Sequence, residues 1–147
     1  MWPVLCKIAN MQLRDLFRSV LAGILLLAGI GLHAQGGVKD QVVAALGAGD
    51  ATAVARHMVA NVDMALPSAS DYYSKAQAEQ ILRKFFDEHP PKGLTIVHEG
   101  TNRSGDSYYI GNMPTGKGDF RVTFFLKKAG QVFQVKQLRI EPGRTDR

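Results

Sequence analysis

The sequence predicts an α+β domain in which helices come first and a curved antiparallel sheet comes last. Two observations carry that expectation. Apolar residues recur at helical spacing as far as Phe86, and from Gly93 onward they alternate with a period of two. Between the two regimes stand Pro90 and Pro91, which end a helix because the ring removes an amide donor and clashes with the preceding turn.

The first thirty-four residues stand apart from this domain. Lys7, Arg14 and Arg18 precede the apolar run Val20 to Leu32, and "HAQG" follows with Ala34 just before the expected cut. That is the layout of a secretory signal peptide. The run of 13 residues is short against the roughly 20 that a helix needs to cross a bilayer, so no stable transmembrane anchor is expected. Met11 heads a complete signal of its own, leaving Met1 and Met11 as alternative starts. The protein is therefore expected to be exported, to the periplasm or beyond the cell.

Removal of residues 1–34 leaves a single domain over 35–141 and a short flexible tail over 142–147. Subtracting Lys7, Arg14 and Arg18 from 18 basic residues and Asp15 from 13 acidic ones leaves 15 against 12. A net charge near +3 is too small and too scattered for a nucleic-acid binder, whose basic residues gather on one surface. The one cysteine, Cys6, leaves with the signal, so the mature chain has neither disulfide nor thiolate ligand. No His or carboxylate cluster with metal-ligand spacing is present, and neither metal nor cofactor is expected.

Each element has its own grounds. In "GVKDQVVAALGAGD", Val38, Val42, Ala45 and Leu46 fall on helical spacing and stop at Gly47 and Gly49. Asp50 then caps a short second helix carrying Ala51, Val54, Ala55 and Met58 on one side. "NVDMALP" alternates as a short strand at a sheet edge. In "YSKAQAEQILRKFF", Ser74 and Gln77 form a capping box, and Ala78, Ile81, Leu82, Phe85 and Phe86 make one apolar stripe over about Lys75 to Glu88. Four strands follow: "LTIVHEG", "YYIGNM", "FRVTFFLKK" and "QVFQVKQLRIE". In the last, Phe133 and Val135 share a face with Leu138 and Ile140 only if one residue slips near Lys136 or Gln137, which is what a β-bulge does. The long helix is the cover for the apolar face of this meander.

That element order resembles the cystatin-like, or nuclear-transport-factor-2-like, cone. The blocks "YSKAQAEQILRKFF", "HEG", "YYIG", "GDFRVTFFLKK" and "LRIE" resemble the bacterial family called domain of unknown function 4783, over roughly Gly36 to Glu141. The resemblance implies a small exported protein of a mostly Bacteroidetes family, and it brings no activity. Superfamily members include isomerases, dehydratases, transport adaptors and noncatalytic domains, so the fold alone carries no chemistry.

The resemblance also implies where a site would lie: in the mouth between the long helix and the concave sheet face. The strands offer His98, Tyr109, Asp63, Arg121 and Arg139 as candidates for a pocket or binding site. His98 shares an alternation phase with Leu94 and Ile96 and could look into the cone, although a satisfied rim histidine is the plainer account. Tyr109 could steady an enolate, but beside Tyr108 it reads first as a packing residue. Asp63 reads first as a wetted edge residue. Counting from a turn centred on Ala129 puts Arg121 opposite about Gln137 and near Arg139, with Glu99 or Glu141 as ion-pair partners. No nucleophile, triad or metal set stands out, so no catalytic residue is assigned. The expected role is a noncatalytic domain binding a small apolar molecule, a peptide or an envelope protein, with a homodimer through the sheet as a further partner. A small isomerase or lyase built on His98 and Asp63, and a structural role in the envelope, are the alternatives. Whether the cone is open or filled by Phe85, Phe86, Phe124 and Tyr109 separates the binding and catalytic readings.

Overall fold

The computed structural model describes residues 36–144. The expected signal peptide, Cys6 and the last three residues lie outside the described residues. Helix α1 spans Val38–Ala48 and α2 Ala51–Arg56. Strands β1 (Met58–Leu66) and β2 (Ala69–Ser74) follow, then α3 (Lys75–Glu88). Strands β3 (Thr95–Thr101), β4 (Ser107–Thr115), β5 (Gly118–Ala129) and β6 (Val132–Pro142) complete the chain.

The helix boundaries follow their capping chemistry. Helix α1 runs through Gly47 and ends at Gly49, whose φ of 70° is the left-handed cap that only glycine adopts without strain. Gly47 serves packing instead, because a Cβ there would come within 2.9 Å of the Leu94 amide nitrogen. The Asp50 carboxylate accepts the Ala53 amide at 3.0 Å and starts α2. For α3 the capping box is complete: Ser74 Oγ accepts the Gln77 amide, and Gln77 Oε1 accepts the Ser74 amide.

The strands form one curved six-stranded sheet in the order β2-β1-β6-β5-β4-β3. All neighbours are antiparallel except β1 and β6, which run parallel. One expectation changes here. The "NVDMALP" segment is not a lone edge strand: it continues back to Met58 and is flanked by β6 and by β2, a strand not expected from the sequence that carries Tyr72 and Tyr73.

Two bulges set the faces. Leu126 pairs with Val135 while Phe125 pairs with Gln137, so Lys136 is the extra residue and Val135, Leu138 and Ile140 all reach the core. Phe133, beyond the bulge near the turn, stays exposed. In β3 the register slips between Ile96 and His98, leaving Val97 exposed as the extra residue. Strand β6 extends to Pro142, and the Gly143 amide donates to the Asp119 carbonyl at 2.7 Å.

The inward phase of the sheet is Val62, Met64, Met113, Phe120, Val122, Phe124, Leu126, Leu138 and Ile140. It forms one buried cluster with Val42, Leu46, Val54, Ala78, Leu82, Phe85 and Phe86 of the helices. Phe85 stands edge-on to Phe120 at 5.1 Å between ring centroids and stacks on His89 at 4.8 Å. Among the described residues, the helix-covered side of the sheet is packed with these side chains, and no helix lies over the other face.

Candidate functional site

The uncovered face is built from the outward phase of the same strands. Register pairs Arg121 with Glu141, Thr123 with Arg139, and Phe125 with Gln137 on β5 and β6. Together with Pro142 and Arg144 these six residues line a depression of about 640 Å³. Arg121 and Arg139 are diagonal neighbours, about 7–8 Å apart at their Cα atoms by strand geometry. Arg139 Nη1 lies 3.8 Å from Glu141 Oε1 with both side chains about half exposed, a loose pair worth little. Arg121 and Arg144 have no ion-pair partner among the described residues. The lining thus carries three guanidiniums against one carboxylate.

The floor is partly aromatic. Phe125 lies 5.9 Å from Tyr108 across β4, centroid to centroid, and Tyr108 lies 5.7 Å from His98 on β3. On the opposite side Gln137 donates from Nε2 to Asp63 Oδ2 at 2.8 Å, fixing the amide beside the depression.

The structure splits the residues singled out from sequence. Arg121 and Arg139 line the depression, and the expected pairing of Arg139 with Glu141 is present. Arg121 faces Glu141 instead of Gln137, because the β5–β6 turn is Gly130–Gln131 and Lys136 bulges out. Asp63 is on the same face but is held by Gln137. His98 is not in the cone: the Val97 bulge turns it to the uncovered face, where Nε2 lies 3.2 Å from the Tyr108 hydroxyl. Asp63 on β1 and His98 on β3 are four strand spacings apart, about 19 Å along the sheet.

Tyr109 alone faces the helices. It stacks on Phe124 at 5.0 Å, and Lys39 Nζ of α1 sits 5.1 Å from its ring centroid. Lys39 also pairs with Glu99, and that hydrogen bond raises the ammonium pKa above the ordinary lysine value. Tyr109 is thus a wall of the packed core, partly sealed by an ion pair. Thr123, Phe125, Gln137 and Arg144 were not singled out from sequence. The outward phase of "FRVTFFLKK" held the signal for the first two, whereas Arg144 sits in a segment that reads as tail. Among the described residues no group of three or more His, Cys, Asp or Glu side chains could hold a metal ion.

Comparison with known proteins bears on the fold and the family. A structure from Bacteroides ovatus described as a DUF4783 family protein is 28% identical, with a TM-score of 0.65, and the match covers 71% of this chain and 94% of that one. A DUF4783 family protein from Bacteroides uniformis is 26% identical, with a TM-score of 0.68 over 74% of this chain and 99% of the other. A domain with a cystatin-like fold from Nostoc punctiforme, 11% identical with a TM-score of 0.58 over 74% of each chain, shares the fold alone. No curated protein matches the chain. The family profile described as domain of unknown function (DUF4783) matches residues 39–141, and the chain, with its cystatin-like, nuclear-transport-factor-2-like fold, belongs to that family.

Proposed function

We propose that this protein is an exported, noncatalytic binding domain whose ligand surface is the uncovered face of the sheet, centred on the Arg121–Arg139 depression. The observation that carries this reading is the contrast between the two faces. The helix-covered side, where the resemblance would place a ligand, is filled by Leu82, Phe85, Phe86 and Phe124. The uncovered side holds a recess of about 640 Å³, within the range of about 300–1,000 Å³ usual for small-ligand sites. Export is supported by the composition of residues 1–34. An isomerase or lyase would need His98 and Asp63 around one substrate, and about 19 Å of sheet separates them.

The test is mass spectrometry of small molecules released from the protein purified from its native envelope, with Thr123→Trp filling the recess and Tyr109→Phe as the covered-face control. A copurifying molecule lost in T123W and kept in Y109F supports the reading. A molecule kept in T123W overturns it, as does conversion of that molecule to a product.

A further inference from the structure

We propose that the depression binds a small organic carboxylate, its charged group held between Arg121 and Arg139 and its apolar body laid on Phe125. The proposal rests on the uncovered face being the binding surface, and it names the chemistry of the occupant. Guanidinium is a planar fork that meets a carboxylate through two parallel hydrogen bonds, and diagonal positions on adjacent strands are within reach of one another for side chains as long as arginine. Two like charges at that spacing repel each other, and an anion between them removes the repulsion. Thr123, directly across from Arg139, adds a hydroxyl to the lining.

Glu141 has a defined part in this site. Its carboxylate, 3.8 Å from Arg139, already stands where an anion would be attracted, but too loosely to neutralise the lining. It acts as an internal competitor that an incoming carboxylate displaces from Arg139. Phe125, backed by Tyr108 at 5.9 Å, supplies the apolar floor, which a bare inorganic ion would leave unused. The recess is of small-molecule size and the mature chain carries a net charge of only about +3, neither of which suits a polyanion such as nucleic acid.

The test is an NMR titration of the protein purified from cells expressing the full chain, with phenylacetate as probe and phenylacetamide and inorganic phosphate as comparisons. Phenylacetate is expected to shift the amides of residues 121–125 and 137–141 saturably and to bind about ten-fold more tightly than phenylacetamide. Arg121→Gln and Arg139→Gln should each weaken it by about five-fold or more, as for a charge-assisted contact open to solvent. Glu141→Gln should tighten it by about two- to five-fold, a gain that loss of a merely structural ion pair would not produce. The proposal fails if phenylacetate gives no saturable shift up to about 50 mM, if phenylacetamide binds equally, or if Glu141→Gln weakens binding. Phosphate binding as tightly as phenylacetate, unaffected by Phe125→Ser, overturns the organic carboxylate. The underlying reading is separable: a copurifying molecule lost in T123W but retained in R121Q and R139Q keeps the face and removes the carboxylate assignment.

Discussion

Replacing Phe85 with alanine tests the claim that α3 is the lid of the core. Phe85 is 5% exposed, stands edge-on to Phe120 at 5.1 Å and to Phe86 at 5.8 Å, and stacks on His89 at 4.8 Å. A buried Phe→Ala change costs about 3–5 kcal/mol through lost transfer energy and the cavity left behind. Three aromatic contacts from one ring place this site in the upper half of that range, about 4 kcal/mol. Against a typical domain stability of about 5–15 kcal/mol the variant is severely weakened. With a urea m-value of about 1.5 kcal/mol/M the midpoint falls by about 2.7 M. Should Phe85→Ala be too unstable to purify, Phe85→Leu keeps most of the volume and should cost about 1–1.5 kcal/mol. Urea unfolding followed by circular dichroism reads both variants. A loss below about 0.5 kcal/mol in Phe85→Ala would mean that the ring is not a packing centre and that α3 does not close the core.

Other expectations follow from charge and from the leader. The Lys136 ammonium, joined to Asp106 by a hydrogen bond with further help from the Asn102 amide, holds the Asp106 carboxyl below the usual carboxylate range against the opposing effect of burial. The folded chain therefore binds fewer protons there than the unfolded one, and the pair's stabilisation is complete above about pH 4 and is lost as pH falls through the depressed pKa. Asp106→Asn should lower the thermal midpoint by a constant amount from about pH 5 to 8 and converge with wild type in acid; equal midpoints at pH 7 would refute it. Burial, then the charges of Arg56 and Lys75, lowers the His57 pKa. Below about pH 6.5 the unfolded chain gains a proton that the folded one resists, so stability falls with acidification toward the lowered pKa and is flat above about pH 7. His57→Gln should remove that slope in midpoints measured from pH 5 to 7.5, and an unchanged slope would assign it elsewhere. Intact-mass measurement of protein from the periplasmic fraction should give a chain starting at Gln35 or Gly36, and a mature chain retaining residues 25–32 would rule out cleavage.

Sequence periodicity reads out what local chemistry determines. Ser74, Gln77 and the proline pair mark both ends of α3, and the Lys136 bulge is visible because Val135 and Leu138 cannot share a face without it. Strand β2 escapes notice because "ASDYYS" has no fully buried residue, and Tyr73 alone packs against the core from it, too little to show an alternation. The parallel pairing of β1 with β6 joins segments far apart in the chain, and nothing local encodes it. His98 shows how a site is misplaced by one residue: Leu94, Ile96 and His98 alternate perfectly in sequence, but the Val97 bulge reverses the phase. Arg121 and Arg139 were legible as neighbours, while the recess between them depends on which face the helices leave bare.

The position of β6 also governs how this protein can come into being. Among the described residues the strand latest in the chain is a central one, paired on one side with β5 and on the other with β1. Without β6 the sheet divides into two separate ribbons, β1–β2 and β3–β5, each with an open backbone edge. Neither can close until Val132 to Pro142 threads between them, because Val135, Leu138 and Ile140 are the core residues that join the halves. Closure of the sheet therefore waits for β6, and this long-range pairing makes folding slow compared with a helical bundle. Chains interrupted before β6 carry two complementary open edges, and such fragments are expected to associate with one another.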